Sequence, residues 1–167
     1  ERVQALLEVS TARADASITF VPRNCPSALA ALLALMAQSR HIRMLYPFQS
    51  PGSLAQQIEQ QNPAAVIAAE QDFTPQVRAV LQAKGIAGLS IDDMYAHLVS
   101  DCVQSTITSA IKPLGRQIEI LTSGTTGTPK PFPVSYDMIA RFMVGEEILS
   151  GKPFNFSDEP PTLLYFP

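Results

Sequence analysis

The residues best suited to chemistry in this 167-residue chain stand together at Thr122-Ser123-Gly124-Thr125-Thr126-Gly127-Thr128-Pro129-Lys130. Gly124 and Gly127 can adopt positive φ and let the backbone approach a ligand closely. Thr122, Ser123, Thr125, Thr126 and Thr128 offer hydroxyl donors, and the exposed amides of such a segment add more. Lys130 contributes a point charge, and a hydrogen bond from a charged group is worth about 1.5–3 kcal/mol. Many small donors beside one cation suit a polyanion. A triphosphate or pyrophosphate fits the set best.

Two other readings compete for the same residues. Surface turns are built from glycine, proline, serine and threonine, but the order here is more particular than a turn needs. A Walker A loop requires a glycine, four residues, then Gly-Lys-Ser/Thr at the start of a helix. Gly124 and Gly127 are too close together for that. Lys130 also lies between Pro129 and Pro131, and with Pro133 these prolines bar an immediate long helix. No helix dipole is therefore expected to point at the phosphates.

A loop of this kind needs a rigid support, and the chain before it supplies one. Ile118-Glu119-Ile120-Leu121 reads as a buried strand running into the loop. Further strands are expected at Ser17–Val21, Ile42–Tyr46, Ala64–Ala68 and, more weakly, Ile86–Ile91. Between them the patterns predict helices from Pro26 to about Gln38, from Ser53 to Asn62-Pro63, and from Thr74-Pro75 to Gly85. An amphipathic helix over residues 2–15 precedes them. The helix after Pro26 is apolar on every side, which predicts burial from more than one direction. Ser90 with Asp93 resembles a capping box for a helix through Met94, Tyr95 and Leu98.

Residues 101–115 have no convincing period and read as loop. Beyond the loop at 122–130, a short strand is expected over Phe132–Val134. Ser135 then caps a helix carrying Met138, Phe142, Gly145 and Leu149, and Gly151–Pro161 is polar loop. Residues 162–167 begin another strand. Alternating strand and helix predict an α/β fold, a largely parallel sheet with helices on both faces and right-handed crossovers. Ligands of such sheets sit beyond the carboxyl ends of the strands, where residues 122–130 emerge.

Composition narrows the function further. The chain is 46% hydrophobic and 16% charged, and its 12 basic and 15 acidic residues give a net charge of −3. The usual charged share is about 25%, so part of the surface is expected to lie under more protein. The basic residues form no stripe, which argues against nucleic acid as a partner. Cys25 and Cys102 match no metal or redox spacing and read as buried free thiols in a reducing compartment. The longest apolar run, Ala28–Ala37, has ten residues, against about 20 for a membrane span. A cytoplasmic protein without a membrane span is expected. Asp92-Asp93 and Glu146-Glu147 read as solvated surface, because adjacent residues do not share a helix face.

The segment Thr122–Lys130 resembles, at every position, the phosphate-binding signature of the adenylate-forming superfamily. That family holds acyl-CoA and aryl-CoA synthetases, adenylation domains of peptide synthetases, and beetle luciferases. Pro26–Ala37, Met44-Leu45-Tyr46-Pro47 and Leu54–Ala68 also resemble the stretch that precedes this loop in those enzymes. Two positions depart from the pattern, Pro131 where a glycine is usual and Tyr136 where a histidine often follows serine. The resemblance implies that residues 1–167 are part of the N-terminal AMP-binding domain, with residues 17–150 as its main α/β subdomain. From Glu1 as first residue and the absence of later family motifs, the chain is expected to be a piece of a longer protein.

The activity implied by the resemblance is adenylation of a carboxylic acid by ATP, forming acyl-AMP and pyrophosphate. Transfer to CoA or to a carrier-bound phosphopantetheine follows. Thr122, Ser123, Gly124, Thr125, Thr126, Gly127 and Thr128 are then the nucleotide contacts and Lys130 their charged, catalytic partner. Mg2+ accompanies ATP, with its ligands largely in the missing part. Two alternatives stay open: a peptide-synthetase adenylation domain loading a carrier protein, and a non-catalytic α/β module that holds an anion. Separated from the rest of its parent chain, the segment is expected to be inactive.

Overall fold

The computed structural model describes residues 17–99, 115–122 and 130–141. The elements in order are β1 (Ile18–Phe20), α1 (Pro26–Ala37), β2 (Ile42–Met44), α2 (Pro51–Gln61), β3 (Ala65–Ala68), a 3-10 turn (Glu70–Asp72), α3 (Pro75–Lys84), β4 (Ala87–Asp92), β5 (Tyr95–Leu98), β6 (Gln117–Thr122), β7 (Lys130–Ser135) and α4 (Tyr136–Ile139). The strands form one sheet in the order β5-β4-β3-β1-β2-β6-β7. Its middle strands, β4, β3, β1, β2 and β6, run parallel, and β5 and β7 pair antiparallel at the two edges. The α/β class and the largely parallel sheet are as the alternation requires.

Direction of travel decides which face each helix covers. A right-handed crossover puts its helix on one face when the chain moves one way across the sheet, and on the other when it moves back. From β1 to β2 the chain moves toward β6; from β2 to β3 and from β3 to β4 it moves the other way. Accordingly α1 packs Ala28, Ala31 and Leu35 against Ile18, Phe20, Ile42, Ile67 and Leu89. On the opposite face α2 and α3 pack Leu54, Ile58, Val77 and Leu81 against Val66 and Ala68. Travel reverses between β1 and β3, which makes that crevice the switch point of the sheet.

Local chemistry sets the helix ends. Each of α1, α2 and α3 has proline in its first turn, where a missing N–H costs nothing. Ser50 Oγ accepts from the Ser53 amide at 3.2 Å and Thr74 Oγ1 from the Val77 amide at 3.5 Å. Helix α2 therefore starts at Pro51, ahead of the expected Ser53. Asn62 and Gly85 end α2 and α3 in the left-handed region, at φ 44° and 63°. Ser135 Oγ accepts from the Met138 amide at 3.1 Å, so it caps α4 as expected.

Some expectations are corrected. Met94–Leu98 is a strand, since Asp93 and Met94 both take positive φ (45° and 63°) and turn the chain back as a two-residue hairpin. Such turns match the right-handed twist of strands, and β5 supplies hydrogen bonds to the otherwise unpaired side of β4. Ser90 donates to Asp92 Oδ2 rather than capping a helix. Strand β4 is no weak element, as Ala87 and Leu89 are fully buried.

Helix α1 is buried on one side only, with Leu29 and Leu33 60% and 56% exposed. Cys25, at its N-cap, is exposed rather than buried, because it lies in the loop that leaves the carboxyl end of β1. The helix over residues 2–15, Cys102, the 101–114 segment, Phe142–Leu149 and everything from Gly151 onward lie outside the described residues.

Candidate functional site

Strand β6 carries Thr122 to the carboxyl edge of the sheet, and β7 returns antiparallel from Lys130. The register pairs Thr122 with Lys130, Leu121 with Pro131 and Glu119 with Pro133. Thr122 Oγ1 donates to the Lys130 carbonyl at 3.1 Å, and both residues are exposed. The two ends of the glycine- and hydroxyl-rich segment are thus fastened side by side. Ser123, Gly124, Thr125, Thr126, Gly127 and Thr128 lie outside the described residues. Pro131 and Pro133 alternate along an edge strand, so both absent N–H groups face away from β6, where no partner is needed.

Clefts lie beside this hairpin. A cleft of about 770 Å³ lies between the loops after β1 and β2 and the end of β6, lined by Asn24, Tyr46, Phe48, Gln57 and Leu121 among others. Tyr46 and Phe48 meet edge to face, with ring centroids 5.5 Å apart. A smaller cleft of about 270 Å³, between β6 and α2, is lined by Arg43, Gln57, Gln61, Glu119 and Pro131.

An ion pair spans the loops after β1 and β3 at the switch point. Arg23 donates through Nε to Asp72 Oδ2 at 2.9 Å and through Nη2 to Oδ1 at 2.6 Å. Asp72 is 5% exposed. Its hydrogen bonds raise the Arg23 pKa above the ordinary arginine value, against a lowering by burial. The Arg23 guanidinium also stands 5.1 Å from the Phe48 ring centroid. This bidentate pair stands where many such sheets bind ligands, beside a cleft of about 820 Å³ lined by Phe20, Arg23, Asn24 and Leu32 among others; the β6–β7 hairpin lies two strands away.

On the α2 face, beneath the hairpin, polar side chains gather around Glu119. Its Oε2 accepts from Arg43 Nε at 2.7 Å and its Oε1 from Gln117 Nε2 at 3.1 Å. His41 Nε2 lies 3.1 Å from Oε1, without the alignment of a hydrogen bond. Burial lowers the His41 pKa, with Glu119 pulling it the other way. At the opposite end of the hairpin from Lys130, the Tyr136 hydroxyl donates to the Arg40 carbonyl. The departure from histidine at this position therefore lies away from the loop. Sequence reasoning missed Arg23, Asp72, Arg43 and His41; the one available signal was a carboxylate, Glu119, inside an apolar run.

Taken together, the fold is a doubly wound α/β domain in which the β6–β7 hairpin brings Thr122 and Lys130 together at the carboxyl edge. The chain belongs to the AMP-binding enzyme family, whose sequence model matches residues 2–167, and so to the adenylate-forming superfamily.

Among solved structures it is similar to the ATP-bound form of MatB from Rhodopseudomonas palustris, with 20% identity and a TM-score of 0.63 over 86% of this chain and 29% of that one. It is also similar to the luciferase-like enzyme of the nonluminescent mealworm Zophobas morio, with 16% identity and a TM-score of 0.55 over 84% and 35%. A third likeness is to a putative long-chain-fatty-acid CoA ligase from R. palustris, with 15% identity and a TM-score of 0.53 over 90% and 39%. At these identities the likeness is one of fold. The chain spans about 29% of the length of the MatB structures it matches. No curated protein matches it. Among the described residues, no helix is long and apolar enough to cross a membrane.

Proposed function

We propose that this chain is the loop-bearing part of an ATP-dependent, AMP-forming carboxylic acid ligase. A substrate carboxylate attacks the α-phosphate of ATP in line, forming the acyl-AMP anhydride and releasing pyrophosphate. A thiol then takes the acyl group and frees AMP. The observation that carries the proposal is the pairing of Lys130 with Thr122 at the sheet's carboxyl edge. It brings the ends of residues 123–129 together, so that their amides and hydroxyls can surround one anion beside the Lys130 ammonium.

The work of Thr122, Ser123, Gly124, Thr125, Thr126, Gly127, Thr128 and Lys130 is to hold the β- and γ-phosphates and to stabilise the leaving pyrophosphate. That is charge stabilisation by fixed donors, with no covalent step. Among the described residues, no group of three His, Cys, Asp or Glu side chains could hold a metal ion. Mg2+ accompanies ATP in this reading, with phosphate oxygens among its ligands. CoA is favoured as acceptor over a carrier protein because the solved relatives include a putative long-chain-fatty-acid CoA ligase.

The test is carboxylate-dependent exchange of pyrophosphate into ATP by the full-length protein. Loss of one charged hydrogen bond of about 1.5–3 kcal/mol predicts that Lys130→Ala slows exchange roughly ten- to hundredfold. Unchanged exchange would remove Lys130 from the site. The 167 residues alone should give no exchange.

A further inference from the structure

The β6–β7 hairpin has one sheet neighbour among the described strands, β2. It joins β2 through three register pairs, Ile42 with Ile118, Arg43 with Glu119 and Met44 with Ile120. A parallel ladder is slightly weaker per residue than an antiparallel one, and besides it the hairpin is held by apolar packing and by the Tyr136 hydroxyl on the Arg40 carbonyl at its far end. The outer two pairs are apolar. The middle pair is ionic, and its carboxylate is shared: Arg43 at 2.7 Å, Gln117 at 3.1 Å and the His41 ring at 3.1 Å. Arg43 continues the connection by donating through Nη1 to the Gln61 carbonyl at 3.4 Å. Gln61 is the last residue of α2, where the helix dipole favours a cation. One side chain of β6 is thereby tied to β2 and to α2.

Glu119 stands three residues before Thr122, about 10 Å along an extended strand, too far to touch a phosphate held by the loop. Its side chain is 15% exposed, so water screens the Arg43–Glu119 pair less than it would a surface pair.

We propose that Glu119 is the positioning residue of the phosphate hairpin: through Arg43 it fixes the angle at which β6 delivers Thr122 and the following loop to the nucleotide. The inference rests on the adenylation reading given above. A hairpin loosened at this contact spends less time in the competent orientation. The apparent affinity for ATP falls by that fraction. Once ATP is bound the competent orientation is selected, and turnover proceeds as before.

The experiment is steady-state pyrophosphate exchange by the full-length protein carrying Glu119→Gln, which keeps the shape and removes the charge. Charge-assisted hydrogen bonds are roughly twice as strong as neutral ones. We expect the KM for ATP to rise about tenfold, while kcat and the KM for the carboxylic acid stay within about twofold; the melting temperature falls by several degrees, because Arg43 is left with a neutral partner. Arg43→Lys, a milder change that keeps the cation, should raise the KM for ATP by less, and it serves where Glu119→Gln does not fold. An unchanged KM for ATP in the variants that fold would overturn the proposal. So would a fall of kcat with equal rises in the KM for ATP and the KM for the acid, which would make Glu119 a merely structural residue. Lys130→Ala assayed alongside separates the two readings, because its failure to slow exchange removes the phosphate site itself, whatever Glu119 does.

Discussion

Lys130 sits directly across the β6–β7 ladder from Thr122, and the Thr122 hydroxyl closes the pair by donating to the Lys130 carbonyl at 3.1 Å. The contact lies at the last rung before the glycine-rich segment. It fixes Thr122 and Lys130 side by side, so less conformational entropy is left to lose at these two residues when an anion binds.

Thr122→Val keeps the shape of that side chain and removes its hydroxyl. A neutral hydrogen bond contributes about 1 kcal/mol, so the KM for ATP in pyrophosphate exchange should rise roughly fivefold with little change in melting temperature. An unaltered KM would show that the rung does not order the loop.

Tyr136 anchors the other end of the hairpin. Its hydroxyl donates to the Arg40 carbonyl, and burial pushes its pKa up to about 12. The unfolded chain ionises near pH 10, while the folded protein keeps this proton until about pH 12. Above pH 10 the unfolded state therefore binds fewer protons, and stability falls as pH rises through that window. Tyr136→Phe should reduce this alkaline loss and lower the melting temperature at pH 7 by about 2–4 °C, for one hydrogen bond of about 1 kcal/mol. Thermal melts of both proteins at pH 7 and pH 11 check both effects; equal alkaline losses would rule out this tyrosine as their source.

Asp72→Asn leaves Arg23 with a neutral partner at the β1/β3 crevice. Removing one partner of a buried ion pair costs about 3–5 kcal/mol, but Arg23 is 24% exposed, so about 1–3 kcal/mol is expected after allowance for solvent screening. The melting temperature should drop by several degrees. Adding Arg23→Met should cost little more, because the two side chains act as a pair. Additive losses in the double variant would show that the two are not coupled.

Much of the fold could be read locally. Pro26 and Pro75, the caps Thr74 and Ser135, and the stops Asn62 and Gly85 act on their own turn of chain, so their positions alone announce helix ends; for α2 the local pattern favours Ser53 over the actual start at Ser50-Pro51. Met94–Leu98 misled for the same reason. Ser90, Asp93 and Leu98 fit a local helix start, yet the neighbouring β4 offered an unpaired edge, and sheet pairing outweighed the local preference.

Taken alone, the amino-acid sequence settled the chemistry on offer: small hydroxyls, two glycines and a lysine in one order, set after an apolar strand in an alternating α/β chain. Those are properties of side-chain type and near-neighbour spacing. Which groups face one another was decided by the tertiary structure. Arg23 and Asp72 are 49 residues apart and Arg43 and Glu119 are 76 apart, and each pair meets only because the strand order sets β1 beside β3 and β2 beside β6. The pairing of Thr122 with Lys130 likewise depends on β7 turning back along β6. Periodicity records which face of an element is apolar, but it carries no information about which element lies alongside, and so none about these contacts.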